Sequence, residues 1–312
     1  MRRIETFEPR PGVAFALLVA MTVIWGSGMV LARGVNEHIP PIGLGFWRLT
    51  VACIVLLPLV LPHLLSEGPL LRRHVKFFTL LGILQVWPQT IVLLALNYTT
   101  AINATLLNGA QPAITAILAA ILLRDRMTWL QTLGITMALI GIIVMVAHGD
   151  IDVVLGLDFN IGDWLVVVAV FMWAFYTLKL PTVPRDFSPA TVLFMVTACG
   201  TIAMLPAYLY EAIHVRAMKI DALTIGTTVY MGVVISAISI FVWNMCLRTI
   251  GPQKTSIFIN LNPVFAALFA IAFLGEVLHL YHLFGALLVC GGITLVVTMG
   301  RPRKPSAAAA RS

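Results

Sequence analysis

Apolar runs of roughly twenty residues follow one another along this chain, and that pattern constrains the fold more than any single motif. A helix needs about 20 mainly apolar residues to cross the hydrocarbon core of a bilayer. In lipid only helices and closed barrels leave no backbone polar group unpaired. The runs are Val13–Leu31, Ile39–Leu61, Phe77–Leu96, Ala101–Leu123, Leu130–Ala147, Trp164–Leu180, Ala190–Tyr210, Ile225–Leu247, Thr255–Leu274 and Leu280–Met299. The sixth is the shortest. No polar stretch between them is long enough for a separate soluble domain. Only 11% of the residues are charged, against roughly 25% in a soluble domain. The expectation is an all-α polytopic membrane protein with ten transmembrane helices.

The net charge of +7 sits in short loops and tails, which is the distribution of a topology signal rather than of a nucleic-acid footprint. With the amino terminus on the cytoplasmic side, sixteen of the twenty Lys and Arg fall inside, three (Arg33, Arg216, Lys219) fall outside, and Arg48 lies within a span. This skew is the positive-inside pattern, and a different helix count would scramble it. It predicts both termini in the cytoplasm of an inner-membrane-type protein. The acidic stretch with Asp150, Asp152, Asp158 and Asp163 then falls outside. Cys53, Cys199, Cys246 and Cys290 lie in or at the ends of apolar runs with no CxxC or Cys/His spacing; they read as small buried residues, not as metal ligands or a disulfide frame.

A gapless shift of 151 superimposes the ends of two halves. Pro112 falls on Pro263, Gln111 on Asn262, Thr105 on Ser256, Asp125 on Glu276, Gly134 on Gly285 and Gly141 on Gly292. Each half has five runs, an odd number, so the second half enters the membrane from the opposite side and the repeats are inverted. Inverted repeats are a transporter signature, with substrate held near the midplane where the repeats meet. The expected organisation is a cytoplasmic segment 1–12, a first repeat 13–148, an acidic linker 149–163, a second repeat 164–300 and a basic cytoplasmic tail 301–312. The paired glycines, seven apart, share a helix face and read as close-packing positions.

The stretch from Ala95-Leu96-Asn97-Tyr98 through Asn108-Gly109-Ala110-Gln111-Pro112 to Arg124-Asp125-Arg126 resembles the third-to-fourth helix signature of EamA-type transporters of the drug/metabolite transporter superfamily. Trp25-Gly26-Ser27, Phe46-Trp47-Arg48 and the segment from Pro263 to Gly275-Glu276 also match. Arg124-Asp125-Arg126 departs from the family's usual Gly-Glu-Arg, with acidic character kept. The resemblance covers nearly the whole chain. It implies two inverted five-helix repeats, a central cavity, both termini cytoplasmic, and export or exchange of small metabolites, often amino acids, without a cofactor.

Arg48 is the sharpest single residue. It lies roughly nine residues into its run, near the midplane at about 1.5 Å per residue. An Arg there costs about 2.5–3.5 kcal/mol on insertion scales. Two readings remain open: its guanidinium attracts a substrate carboxylate or phosphate, or it ties helices together through backbone carbonyls. Pro112 and Pro263 free the carbonyls of Asn108 and Ile259 and mark helix breaks, which are tolerated where they line a cavity or are re-bonded. Asn108, Gln111 and Thr115 share one face, and Thr255 with Asn262 another; they line a cavity or bond between helices. Trp25, Trp173, Tyr176, Trp243 and Asn244 fall inside runs, unlike Trp129 and Trp164 at run ends, the usual home of Trp. They line a pocket for an aromatic or amphipathic substrate or pack the core. The candidate substrate-binding set is therefore Trp25, Ser27, Arg48, Asn108, Gln111, Trp173, Tyr176, Trp243, Asn244 and Asn262.

No Asp or Glu lies deep in a run, which favours a facilitator or exchanger over a carboxylate-based proton pump. An integral membrane enzyme would need a nucleophile–base pair, a metal cluster or paired carboxylates, and no HExxH, GxSxG, Walker A or carboxylate dyad is present. A carrier of nucleotide sugars or other phosphorylated metabolites would need several cavity cations, and Arg48 stands almost alone; drugs remain a further substrate class. The expected partners are a small-molecule substrate and the lipid bilayer. With both repeats in one chain a monomer holds a complete pathway, and a homodimer is equally compatible.

Overall fold

The computed structural model describes residues 9–35, 38–95, 98–99, 104, 107–123, 127–147, 149–156, 160–184, 186–274 and 279–299. Thr105, Asp125, Gly275, Glu276 and the basic tail 301–312 lie outside them. The described residues are helical, with no strand among them. The longer helices are α1 (Pro11–Val35), α2 (Pro41–Ser66), α3 (Gly68–Ala95), α4 (Gln111–Leu122), α5 (Trp129–Val146), α6 (Ile161–Lys179), α7 (Pro189–Tyr210), α8 (Ala222–Ile250), α9 (Asn262–Leu274) and α10 (Leu280–Met299). Eight of these are long and apolar enough to cross a membrane. The exceptions are α4, with 12 residues, and α9, with 13. The run read as shortest is a helix of 19 residues, α6, continued by a 3₁₀ turn to Thr182.

The surface is strongly apolar, and the apolar core holds many buried polar residues. Ile54, Leu59, Ile121 and Leu287 are each more than 60% exposed, while Gln85, Thr115, Gln131 and Asn244 are buried. Exposed apolar area on this scale marks contact with something other than water, and helices of this length make that medium lipid. Trp129 and Trp164, both exposed, stand at the starts of α5 and α6, where an amphipathic ring meets the membrane surface.

Helix starts are satisfied by side chains. Thr128 with Gln131 and Asn160 with Asp163 form capping boxes at α5 and α6, each satisfying two orphan N–H groups. Asp163, buried rather than exposed in the acidic linker, also accepts from Thr99 Oγ1. The start of α2 has no such residue, because Pro40 stands at its N-cap. Glu211, from the end of α7, supplies the carboxylate instead: Ile42 N–H donates to it at 3.2 Å and Gly43 N–H at 2.6 Å. A carboxylate there also meets the positive end of the helix dipole. At the same end His38 bonds Asp221 at 2.6 Å, and Asp221 caps α8 by accepting from Thr224 N–H. Those bonds, the backbone one first and His38 next, hold the Asp221 carboxyl down at about 2.

Glycines set the closest contacts. α5 and α10 run antiparallel in intimate contact. A Cβ at Gly134 would lie 2.6 Å from the Gly292 carbonyl oxygen, and one at Gly141 2.6 Å from that of Gly285. α3 crosses α7 at Gly82 and Gly200 in the same way, and Gly232 of α8 sits 2.7 Å from the Arg48 carbonyl oxygen of α2 by the same measure. α1 packs on α8 and α9, α6 on α3 and α4, and α2 on α7. Gly251, at φ 86° between α8 and the short helix Pro252–Ser256, takes a backbone conformation that side chains other than hydrogen rarely allow. A side chain at Gly292 would enter α5 backbone at Gly134 and Ala138 and the Ala138 Cβ, whereas one at Gly291 meets the flexible end of Met137. Gly292→Val is therefore expected to cost at least about 1–3 kcal/mol and lower the unfolding temperature in detergent, with Gly291→Ala close to wild type; equal losses would contradict the seam.

Candidate functional site

Both prolines that were expected to break helices occupy the second position of a helix that starts afresh. Ala110 stands in a turn before Gln111-Pro112 begins α4, and its N–H bonds Leu107 O rather than continuing an α-helix. Residues Ile257–Leu261 form a 3₁₀ stretch before Asn262-Pro263 begins α9. A missing N–H is harmless in a first helical turn. Gln111 is buried with its Nε2 unpaired, and the Asn262 Oδ1 is likewise buried and unpaired. Asn108 departs from its expected company: its amide donates to Ala104 O at 2.9 Å, one turn back on its own helix. Thr255 likewise donates to Gly251 O.

Five of the sequence candidates converge. Trp25 of α1, Trp173 of α6 and Trp243 of α8 form a triangle with ring centroids 5.5–6.3 Å apart. Tyr176 packs on Trp173 at 5.5 Å and donates its O–H to Asn244 Oδ1 at 2.6 Å. That bond takes the only side-chain acceptor of Asn244 and leaves its Nδ2 unpaired, as are the indole N–H groups of Trp173 and Trp243. An amide nitrogen and an indole N–H can only donate. The cluster therefore presents three buried donors without partners. Ser27, two residues beyond Trp25, is engaged elsewhere: its hydroxyl donates to Ile24 O and accepts from Tyr230 O–H at 2.7 Å.

Arg48 lies in a pocket with Gln85 and Gln89 of α3 and Ile235, Ser236 and Ile240 of α8. Its guanidinium has no hydrogen bond or ion pair among the described residues. The two groups share walls: Trp25 packs against the cluster that contains Ile235, and Ile240 is buried with Trp243 one turn on. The α8 backbone between Met231 and Ile238 is a π-helix, a widened turn that recurs at functional sites. The pocket itself measures about 10 Å³, the room one water needs. Sequence reasoning passed over Gln85, Gln89, Ser236 and Asn260. Gln85 and Gln89 were visible as two amides one turn apart inside an apolar run. Asn260, 1% exposed with both amide atoms unpaired, sits beside the predicted Asn262. Among the described residues no three His, Cys, Asp or Glu come together as a metal site.

Helices of membrane-crossing length with apolar faces outward and amides, indoles and guanidinium groups inward define a multi-pass α-helical membrane protein built around a polar centre. The model of the EamA-like transporter family matches the chain twice, over residues 10–147 and 160–298. The chain belongs to that family and is a transporter rather than an enzyme. It is 27% identical over 283 residues to the "Uncharacterized transporter YyaM" of Bacillus subtilis, covering 89% of this chain and 92% of the relative. It is also 27% identical over 297 residues to a Streptantibioticus cattleyicolor protein named "Probable terminal-alkyne amino-acid exporter", covering 93% and 95%. A solved crystal structure shares the fold with a TM-score of 0.72 at 17% identity, over 95% of this chain and 98% of that one.

The Tyr176–Asn244 bond links α6 to α8 in a fully buried place, so Tyr176→Phe leaves an amide oxygen unpaired at about 1–3 kcal/mol. Thermal unfolding in detergent is expected to register that loss. Tyr208→Phe, whose hydroxyl only accepts from the exposed Trp47 at 3.0 Å, is expected to stay near wild type.

Proposed function

We propose that this protein carries small metabolites, amino acids or related compounds, across the membrane by alternating access of two inverted five-helix repeats around the centre occupied by α1, α2, α6 and α8. The observation that carries this reading is the reciprocity of the α5–α10 seam. Gly134 and Gly141 occupy the repeat positions of Gly285 and Gly292, yet Gly134 faces Gly292 and Gly141 faces Gly285. When residue i meets j′ and j meets i′, the two elements are related by a two-fold axis. The other contacts agree with it. Exchanging each helix for the one five places along turns the α3–α7 contact into α8–α2, α4–α6 into α9–α1, and α3–α6 into α8–α1, all of which exist. The double family match over 10–147 and 160–298 supports the same division. On this reading α4 and α9, each extended by the irregular stretch before its proline, complete the ten spans. The termini then lie in the cytoplasm of a bacterial-type inner membrane, following the Lys/Arg skew.

The substrate class rests on the charges. A single unpaired guanidinium at Arg48 suits one carboxylate, and the donors of Trp173, Trp243 and Asn244 suit further acceptor atoms beside an apolar or aromatic body. The amino-acid export in the printed name of the Streptantibioticus relative points the same way. A doubly charged phosphate would call for more cations than Arg48. No Asp or Glu lies deep in an apolar run of the sequence, so the reading is facilitated export or exchange. Uptake of a labelled amino-acid mixture into proteoliposomes, with and without a pH gradient, tests it. Saturable uptake that needs no gradient and falls at least about ten-fold in Arg48→Ala, the loss of one charged hydrogen bond or more, is the expected result. Uptake of doubly phosphorylated compounds in its place would overturn the substrate class.

A further inference from the structure

The Arg48 pocket differs from the aromatic triangle in holding groups of both kinds. Arg48 brings a cation with donors and no acceptor. Gln85, 4% exposed, brings a side-chain Oε1 with no partner. A buried acceptor left unpaired is costly, and a buried charge without a counter-ion is more so. A ligand group that joins an anion to an N–H or O–H an atom or two away answers both. A plain carboxylate answers Arg48 and leaves Gln85 unpaired. A plain amine answers Gln85 and is repelled by Arg48. An α-amino or α-hydroxy carboxylate answers both.

We propose that Arg48 and Gln85, bordered by Gln89 and Ser236, form the head-group subsite of the carrier, specific for α-amino or α-hydroxy carboxylates. The guanidinium takes the carboxylate, and Gln85 Oε1 accepts from the α-ammonium or α-hydroxyl. This rests on the carrier reading above and adds to it the group that discriminates among carboxylates. The apolar walls at Ile235 and Ile240 lead from this subsite toward Trp25 and Trp243, so the ligand's side chain points at the aromatic triangle. The pocket at about 10 Å³ is too small for a carboxylate and its substituent. Its movable wall is the π-helical stretch Met231–Ile238, which supplies Ile235 and Ser236 and comes closest to the α2 backbone at Gly232.

The test uses the full chain in lipid nanodiscs and five probes that share one phenyl body: phenylalanine, phenyllactate, 3-phenylpropionate, phenethylamine and phenylalanine methyl ester. Binding is read by calorimetry. On the wild-type protein phenylalanine and phenyllactate bind, 3-phenylpropionate binds about ten-fold more weakly for want of one hydrogen bond, and the amine and the ester do not bind. Gln85→Leu brings phenylalanine down to the level of 3-phenylpropionate and leaves the latter unchanged, which a variant that merely misfolds would not do. Binding of the amine or ester as tight as that of phenylalanine, absence of binding by all three carboxylates, or discrimination that survives Gln85→Leu overturns the proposal. Uptake into proteoliposomes on the same preparation separates the two readings. Saturable transport of compounds lacking a carboxylate, unaffected by Arg48→Ala, overturns the subsite and keeps the carrier; tight binding of the carboxylates without their transport keeps the subsite and counts against the carrier.

Discussion

Two helices in lipid gain little from hiding apolar surface, because the tails around them are as apolar as their own side chains. They hold together by close packing, and the approach is closest where side chains are absent. α5 and α10 meet this condition through four glycines in two reciprocal pairs. The elements that pack closely on that seam are α9 and the 3₁₀ stretch Ile257–Leu261 before it. Where α3 crosses α7 and α8 crosses α2, single glycines again let backbones touch. The crossing at Gly232 is the one that brings the π-helical part of α8 against Arg48. A contact made for packing thereby sets the geometry of the polar centre.

The polar centre follows from the same solvent logic. A buried donor or acceptor in a bilayer protein needs a partner within the protein, in trapped water or in a ligand. Most of the described buried groups have one: Asp163 binds Thr99 and the backbone of Asn160, and Glu211 holds the start of α2. Others among the described residues do not: the indole and amide donors around Trp173, Trp243 and Asn244, the amides at the starts of α4 and α9, Gln85 in the Arg48 pocket, and also His63, Glu67 and several threonines elsewhere. Under the proposed function, those at the polar centre are the groups that a substrate would complete.

Much of this was legible in the residues alone. Apolar runs of membrane length located the helices, although α3 begins at Gly68, well before its run, and α9 at Asn262, well inside its own; the 151-residue register picked out the glycines that meet at the α5–α10 seam. Trp25, Trp173, Tyr176, Trp243 and Asn244 were recognisable because aromatic and amide groups inside apolar runs need partners, and they do meet. Other features were not legible. Asn108 shares a face with Gln111 on a continuous helix, but the break before Pro112 lets it bond its own preceding turn. The widening of α8 has no signature in the residues Met231–Ile238 themselves. Glu211 stands 168 residues from the Gly43 N–H it caps, and no local pattern announces a cap supplied by another helix.

The central claim is that the pocket beside Arg48 opens alternately to the two faces of the membrane. A single cysteine at position 236, in a chain whose four native cysteines are replaced, reports this directly when right-side-out and inverted vesicles are treated with a membrane-impermeant thiol reagent. The account predicts labelling in both vesicle types, slowed by transported substrate. Labelling from one face only, however long the exposure, would contradict it and leave a binding pocket without a pathway.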